Sequence, residues 1–403
     1  MMVSAQSMKE RVSAEVDRLA RELVKASDYL AAHPEIGYQE YESSALLRNT
    51  LDRHGIRSEA GTAGMPTAFR AELPGQSARP RIALLAEYDA LPGIGHGCGH
   101  NIIATSTIGA AIALRSVMKE LPGSVVLLGT PCEESTAEGA GGKIPMVSQG
   151  LFDQVDAAIM MHPGTLNMVS TASSLAARGF DFEFFGRAAH AAAKPHEGIN
   201  ALDAVIQTYN GVNALRQHLR PDVRIHGIIT NGGAAANVVP EYASCRFRVR
   251  SESVSYLEEV VQKVIHCAEG AALMAGATFK WTEYANPYHN YIANEALARL
   301  GRAALREAGV KLDEVPEERG MGSTDFGNVS HKTPCVTLRL SIGDLSLRSH
   351  SAEFAAATLT PRGHQSIIDA AKAMAFMAVE LIANPALLQE AHKEWEAAMA
   401  AQA

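Results

Sequence analysis

The 403-residue chain is poor in cysteine, with five in all: Cys98, Cys132, Cys245, Cys267 and Cys335. Their odd number and wide, unpaired spacing exclude a disulfide framework. Each is therefore read either as a small core residue or as a thiolate serving a metal or a reaction. Positive charge is scarce too. Against 44 Asp and Glu stand 36 Lys and Arg, a net charge of −8, which leaves no overall basic field to attract nucleic acid or anionic lipid. Nowhere does the sequence hold the ~18 uninterrupted apolar residues of a membrane span. The opening MMVSAQSMKERVSAEVDRLARELV carries charges throughout, where a signal peptide has an apolar centre. These absences lead to the expectation of a cytoplasmic protein with no nucleic-acid or membrane partner. No internal repeat or low-complexity tract interrupts the chain, and 47% apolar with 20% charged residues is an ordinary globular composition.

What is present is enough chain for two or three domains at roughly 100–200 residues each. From Met8 to Ile56, Leu, Val and Ala recur at helical spacing, with a break at His33-Pro34, and predict two helices. Short apolar runs follow at Thr67–Leu73, Arg81–Glu87, Ser124–Thr130 and Ala157–Met161, with an apolar helix expected over Ile102–Lys119. Strands alternating with helices predict an α/β fold, a central mixed sheet flanked by helices. The rhythm then changes. Strand (Ala177–Phe185), helix (Asn200–His218), strand (Val223–Thr230), strand (Tyr242–Arg250), helix (Tyr256–Ala275) and strand (Thr278–Glu283) spell β-α-β-β-α-β, a ferredoxin-like α+β unit. The α/β pattern resumes with helix Glu295–Ala308, strand Cys335–Ser341 and long helices from Arg362 onward. The expected organisation is a discontinuous domain of residues 1–174 and 290–403 with a second domain, 175–289, inserted between its halves.

Ligand groups collect at strand ends in open α/β sheets, and polar residues cluster there in this chain. The first cluster is Glu87-Tyr88-Asp89-Ala90-Leu91-Pro92-Gly93-Ile94-Gly95-His96-Gly97-Cys98-Gly99-His100, after the run Ile82–Leu85. Its glycines let backbone pass close to a bound centre, and Cys98 and His100 offer sulfur and imidazole donors. A core cysteine beside a helix-capping histidine would read the same way. The second cluster, Pro131-Cys132-Glu133-Glu134, also ends a strand and precedes the glycine-rich loop Glu138–Lys143. One of the adjacent carboxylates can bind metal while the other serves as a base, though a solvated turn has the same appearance. His162 in Met160-Met161-His162-Pro163 and His350 in Arg348-Ser349-His350-Ser351 complete the set. A lone histidine at a strand end is often structural, so the metal reading rests on convergence.

With these residues the chain resembles the aminoacylase and carboxypeptidase family of two-metal peptidases, in particular its amidohydrolase branch, which includes p-aminobenzoyl-glutamate hydrolases. The likeness runs through HPEIGYQE, EYDALPGIGHGCGH, the CEE turn, MMHPG, FFGRAAHAAAKPHEGINA, GGAAANVVP, GSTDFGNVS and RSHSAEF. It implies a di-metal exopeptidase-like catalytic domain and a ferredoxin-like lid that forms a homodimer. It further implies two divalent ions per subunit, zinc or manganese, held by Cys98, His100, Glu134, His162 and His350, with Glu133 as general base. Many relatives carry an aspartate between the metals where this chain has Cys98, and that leaves the choice of ion open, since thiolate favours zinc while carboxylate and imidazole accept either.

By the same resemblance His190 reaches a neighbouring subunit's site and helps hold an oxyanion, and Asn237 and Arg250 bind a substrate carboxylate. Arg250 alternates with Val249 and Phe247, so a solvated strand face is an equal reading. Asp89 is expected to orient His100, as carboxylates commonly do for ligating histidines, and Asp325 to shape the pocket floor or cap a helix. The expected reaction is hydrolysis of a C–N amide bond in an N-acyl amino acid, dipeptide or aminobenzoyl-glutamate-like substrate by a metal-activated water. Hydrolytic deamination of an aminoaromatic compound on the same scaffold, and a non-catalytic metal- or peptide-binding module, are the alternatives. A nicotinamide oxidoreductase is disfavoured, because Gly139–Gly142 is no G-x-G-x-x-G turn opening a first βαβ unit.

Overall fold

The computed structural model describes residues 4–134, 139–314 and 322–402. Glu138, in the glycine-rich loop singled out above, lies outside the described residues. Two helices lead the chain, α1 (Ala5–Ala32) and α2 (Tyr41–Arg53), separated at His33-Pro34 as the sequence predicts. Strands β1 (Ser58–Ala60), β2 (Phe69–Pro74) and β3 (Arg81–Glu87) precede helix α3 (His100–Leu114) and strand β4 (Ser124–Thr130). A short helix α4 (Lys143–Ser148) comes before strands β5 (Ala157–Gly164) and β6 (Met168–Ser170).

The inserted stretch consists of β7 (Ala176–Phe185), α5 (Ala201–Leu215), β8 (Arg224–Asn231), β9 (Tyr242–Ser251), α6 (Val254–Ala275) and β10 (Thr278–Glu283). Afterwards come α7 (Glu295–Glu307), α8 (Phe326–Ser330), β11 (Cys335–Ser341), α9 (Ala352–Ala357), α10 (Pro361–Ala383) and α11 (Pro385–Ala400). The helix expected to reach Lys119 stops at Leu114, and Met118–Glu120 forms a 3-10 turn instead.

These strands make two sheets. Seven run in the order β1-β2-β4-β3-β5-β11-β6, and four in the order β10-β7-β9-β8. In the larger sheet β4, β3, β5 and β11 are mutually parallel, with antiparallel β2 and β6 beside them. All four parallel strands thus end on one side, where β3 ends on Glu87 and β5 carries His162 near its end, and from which the loops bearing Glu133 and His350 leave. Helix α3 is apolar all round and every one of its residues is buried, which fits a helix enclosed on all sides; it packs on α1 and α10. Each sheet has its own apolar core, the smaller built on Phe180, Phe182, Phe184 and Phe247 with Val260, Val261 and Val264 of α6. The two chain segments joining the sheets pair with each other, because Ala177 and Tyr288 exchange backbone hydrogen bonds of 2.8 and 2.9 Å.

The HPEIGYQE segment supports the turn after β4. Cys132 there has φ 59°, a left-handed conformation that costs a non-glycine residue free energy and persists only where the surroundings hold it. Glu40 supplies that hold. Its fully buried carboxylate accepts the Cys132 N–H at 2.9 Å and the Thr67 hydroxyl at 2.9 Å. Tyr38 donates its hydroxyl to the Gly139 carbonyl on the far side of the turn. Glu35 in turn accepts from the Ser43 N–H and hydroxyl, both at 2.7 Å, at the start of α2.

Two outcomes follow from these arrangements. Phe182→Ala, which empties the centre of the smaller core, is expected to cost about 3–5 kcal/mol in urea unfolding. Burial, and then the charge of Asp89, push the Glu40 carboxyl up from 4.5 to about 7. Between those two pH values the folded state holds a proton that the unfolded state releases, so this group's contribution is fully present below pH 4.5 and lost as pH rises through 7. The stability of Glu40→Gln relative to the unsubstituted protein should therefore rise with pH, by on the order of 3 kcal/mol between pH 4.5 and pH 8, as read from paired denaturation midpoints.

Candidate metal centre

At the end of β3 the chain turns through Asp89 and the glycine loop into α3, which begins at His100. Gly99, with φ 78°, makes that entry possible. A Cβ on it would lie 2.3 Å from Pro163 Cγ, so only glycine lets the Cys98–His100 backbone come against the end of β5. The approach brings Cys98 Sγ to 3.4 Å from His162 Nε2. Asp89 then ties two strand ends together: Oδ1 is 2.9 Å from His100 Nδ1, and Oδ2 accepts the Glu134 N–H at 2.8 Å. From the loop after β11, His350 donates its backbone N–H to the Gly97 carbonyl at 2.9 Å and places Nε2 3.0 Å from Glu134 Oε1.

All five expected ligand residues converge, together with Glu133. Their donor atoms fall into three groups, each within 4.8 Å: Cys98, His100 and His162; Cys98, Glu134 and His350; His100, Glu133 and Glu134. Sulfur, imidazole nitrogen and carboxylate oxygen in such proximity suit a divalent transition ion. His100 Nε2 is buried with no hydrogen-bond partner, and a buried polar atom without a partner is costly unless something binds it. The carboxylates are in excess as well. Glu87, Asp89 and Asp325 are fully buried and Glu133 and Glu134 partly so, against the buried ammonium of Lys143 and the His100 ring. Lys143 Nζ sits 2.5 Å from both Glu87 and Asp325. The residues present therefore fit a pair of divalent ions.

Electrostatics separate the two glutamates of the turn. Burial, then the charges of Glu134, Glu87 and Asp325, push Glu133 well above the usual carboxylate range. Burial acts on Glu134 in the same direction, but the hydrogen bond from His350 and the charge of His100 outweigh it and bring Glu134 down to about 2. Burial lowers His162 to about 4, aided by the nearby charge of Arg339. In His100, burial opposes the charged form, yet the charge and hydrogen bond of Asp89 lift it well above its ordinary value. Burial pushes the Cys98 thiol up.

The centre lies in a cavity of about 640 Å³ lined by Glu87, Cys98, Glu133, Glu134, His162 and His350 among others, within the usual size range for small-molecule sites. Arg250 reaches its wall, donating from Nη1 to Ser323 Oγ at 3.1 Å. His190 and Asn237 do not line it. Both lie exposed beside each other on the four-stranded unit, where His190 bridges Val238 and the Ala191 N–H donates to the Asn237 carbonyl at 3.0 Å. Asp325 does not cap α8 with its side chain; it accepts the Lys143 N–H at 2.9 Å and the Lys143 ammonium. Sequence reasoning passed over Lys143 and Arg339. Arg339 was detectable, as the one charge in the strand Cys-Val-Thr-Leu-Arg-Leu-Ser; Lys143, beside a glycine loop, has the look of a solvated residue.

Residues 83–373 match the model of peptidase family M20/M25/M40. The mouse Xaa-Arg dipeptidase is 35% identical over 407 residues, covering 96% of this chain and 92% of that protein. One of the subunits of the Escherichia coli p-aminobenzoyl-glutamate hydrolase is 30% identical over 442 residues, covering 91% and 90%. Among solved structures, an aminobenzoyl-glutamate utilization protein from Klebsiella pneumoniae superposes with TM-score 0.73 at 21% identity, covering 92% of this chain and 98% of that one. A Bacillus subtilis protein described as a dinuclear metal binding peptidase from the M20 family gives TM-score 0.69 at 23% identity, covering 91% and 99%. The extent of the family match and the two full-length relatives establish that the chain belongs to peptidase family M20/M25/M40.

Proposed function

We propose that the chain hydrolyses an amide bond in a small N-acyl amino acid, dipeptide or aminobenzoyl-glutamate-like substrate at the centre just described. The observation that carries this reading is the donor geometry: Cys98, His100 and Glu134 each belong to two of the three groups, so with His162 and His350 the groups merge into one donor set that would hold two ions. Two divalent ions bound there, zinc or manganese, would lower the pKa of a water from about 15.7 toward about 7 and polarise the scissile carbonyl. The remaining work falls to side chains of the protein.

Glu133 takes the proton from the attacking water and delivers it to the departing nitrogen. A carboxyl raised by its surroundings is suited to both acts, because proton transfer is most effective when the pKa lies near the working pH. Asp89 fixes the His100 ring through Nδ1 and so directs Nε2 at the centre. Arg250, bonded to the cavity wall at Ser323, binds a substrate carboxylate through paired hydrogen bonds; Asn237, which lies beside His190 outside this cavity, contributes to carboxylate binding from the same face as His190, in the partner subunit.

His190 acts in the partner subunit of a homodimer formed through residues 175–289, the inserted domain between 1–174 and 290–403. Its Nδ1 lies 3.2 Å from the N–H groups of both Ala192 and Ala193 and accepts from them. In the neutral ring this puts the proton on Nε2, leaving an outward-facing donor able to steady an oxyanion. Among the described residues no helix is long and apolar enough to cross a membrane, and the proposed setting is cytoplasmic.

Glu133→Gln is expected to lower kcat by about 10²–10⁴-fold with metal content by elemental analysis unchanged, whereas Cys98→Ala should lower metal content itself. Full activity of the Glu133→Gln enzyme would remove the base assignment. A panel of N-acyl amino acids, dipeptides, aminobenzoyl-glutamate and aminoaromatics tests the reaction: release of acid and amine supports it, and release of ammonia from aminoaromatics alone replaces it. For the subunit arrangement, His190→Ala should reduce turnover in a dimer of unchanged size by light scattering. A fully active monomer would take His190 out of the mechanism.

A further inference from the structure

Arg339 has no role in the chemistry set out above. It sits in β11, where register places it beside His162 on parallel β5 and opposite Met168 on antiparallel β6. Side chains alternate along a strand, so Arg339 shares its face with Thr337, and both line the cavity along with Cys98 and His162. Among the described residues lining that cavity it is the sole lysine or arginine. It makes no hydrogen bond or ion pair with a described residue.

Arg248 shares that isolation, but it packs over the Tyr288 ring and is not among the residues lining this cavity. Arg178 and Arg246, on the four-stranded unit, are each matched by a carboxylate, and the buried Lys143 has two. A partly buried guanidinium without a carboxylate carries a desolvation cost that a bound anion would offset. Gly164, at the end of β5, lies alongside it: a Cβ there would stand in ordinary contact, 3.9 Å from Arg339 Nη1. A planar fork of N–H donors, fixed on a strand and facing a cavity, matches a carboxylate.

Resting on amide hydrolysis at this centre, we propose that Arg339 determines specificity by binding a carboxylate of the substrate, so that the preferred amides carry a negative charge on the part lying against β5 and β11 and a cationic group there is rejected. The two relatives named above differ in this respect, since a glutamate side chain is an anion and an arginine side chain a cation. A role confined to the protein, in which the guanidinium only steadies the Cys98 thiolate, predicts something else: loss of metal and equal loss toward all substrates.

The test uses the full-length, metal-loaded enzyme and matched substrates. N-benzoyl-glutamate is compared with N-benzoyl-glutamine, and succinyl-alanine with its succinamoyl counterpart. The unsubstituted enzyme should favour the acid over its carboxamide in at least one pair by roughly 10–100-fold in kcat/KM. In Arg339→Met that ratio should collapse toward one with metal content unchanged; Arg339→Lys, which keeps the charge without the fork, should lose about tenfold of it and carries the comparison should the methionine variant not fold. No acid preference in either pair, a ratio untouched by substitution, or a parallel loss on acid and amide together with loss of metal overturns the proposal. If no amide is hydrolysed, the reading of the reaction fails, and Arg339 is still judged by calorimetric titration with glutarate. Binding lost in Arg339→Met supports the proposal, and no binding or equal binding by both proteins overturns it.

Discussion

The arrangement of the cavity depends on one buried ammonium. Lys143 lies between Glu87 at the end of β3 and Asp325 before α8, with its own backbone N–H also bound to Asp325. Three segments remote in the chain are thereby fixed at one point. Removing the ammonium would leave two carboxylates uncompensated in a buried site, the situation in which an ion pair matters most. The pair also sets the local field. Burial first, and then the charges of Glu134, Glu87 and Asp325, raise the proton affinity of Glu133, with the Lys143 ammonium acting against them. Glu134, a single residue further on, faces His350 and His100 and behaves in the opposite way.

Adjacent, chemically identical residues are thus given different properties by their surroundings. The divergence begins in the backbone. Cys132, held left-handed by Glu40, turns the chain sharply after β4, and consecutive glutamates leave such a turn in different directions. One joins the donor group of Cys98 and His350, while both stand near His100. The HPEIGYQE segment contributes no donor to the metal centre, yet it holds the turn on which both glutamates depend.

Much of this was legible in the sequence. β3, β4 and β11 begin and end where their apolar runs do, because in each a buried strand is bounded by polar or turn-forming residues; β10, largely exposed, follows its alternating run. The donor residues were visible as polar breaks immediately after apolar strands. The β-α-β-β-α-β order from β7 to β10 could likewise be read from alternation. What could not be read depends on tertiary contact. β1 and β6 are three-residue edge strands, too short to show a period. Helix α3 ends before its apolar pattern does, and the following turn is set by packing. Lys143 has no local signature of burial, since its partners come from distant segments. Asp325 has the sequence of a helix cap, and only the neighbouring ammonium makes it something else.

The paired connection at Ala177 and Tyr288 has a mechanical consequence. Tyr288 also donates its hydroxyl to the Glu133 carbonyl at 3.3 Å, and Asn286 donates to the Gly139 carbonyl at 2.9 Å. The same short ribbon that carries the four-stranded unit is therefore clamped to both ends of the glutamate turn. Any swing of that unit about its tether pulls on the backbone presenting Glu133, so the posture of the smaller sheet and the aim of this carboxylate are geared together.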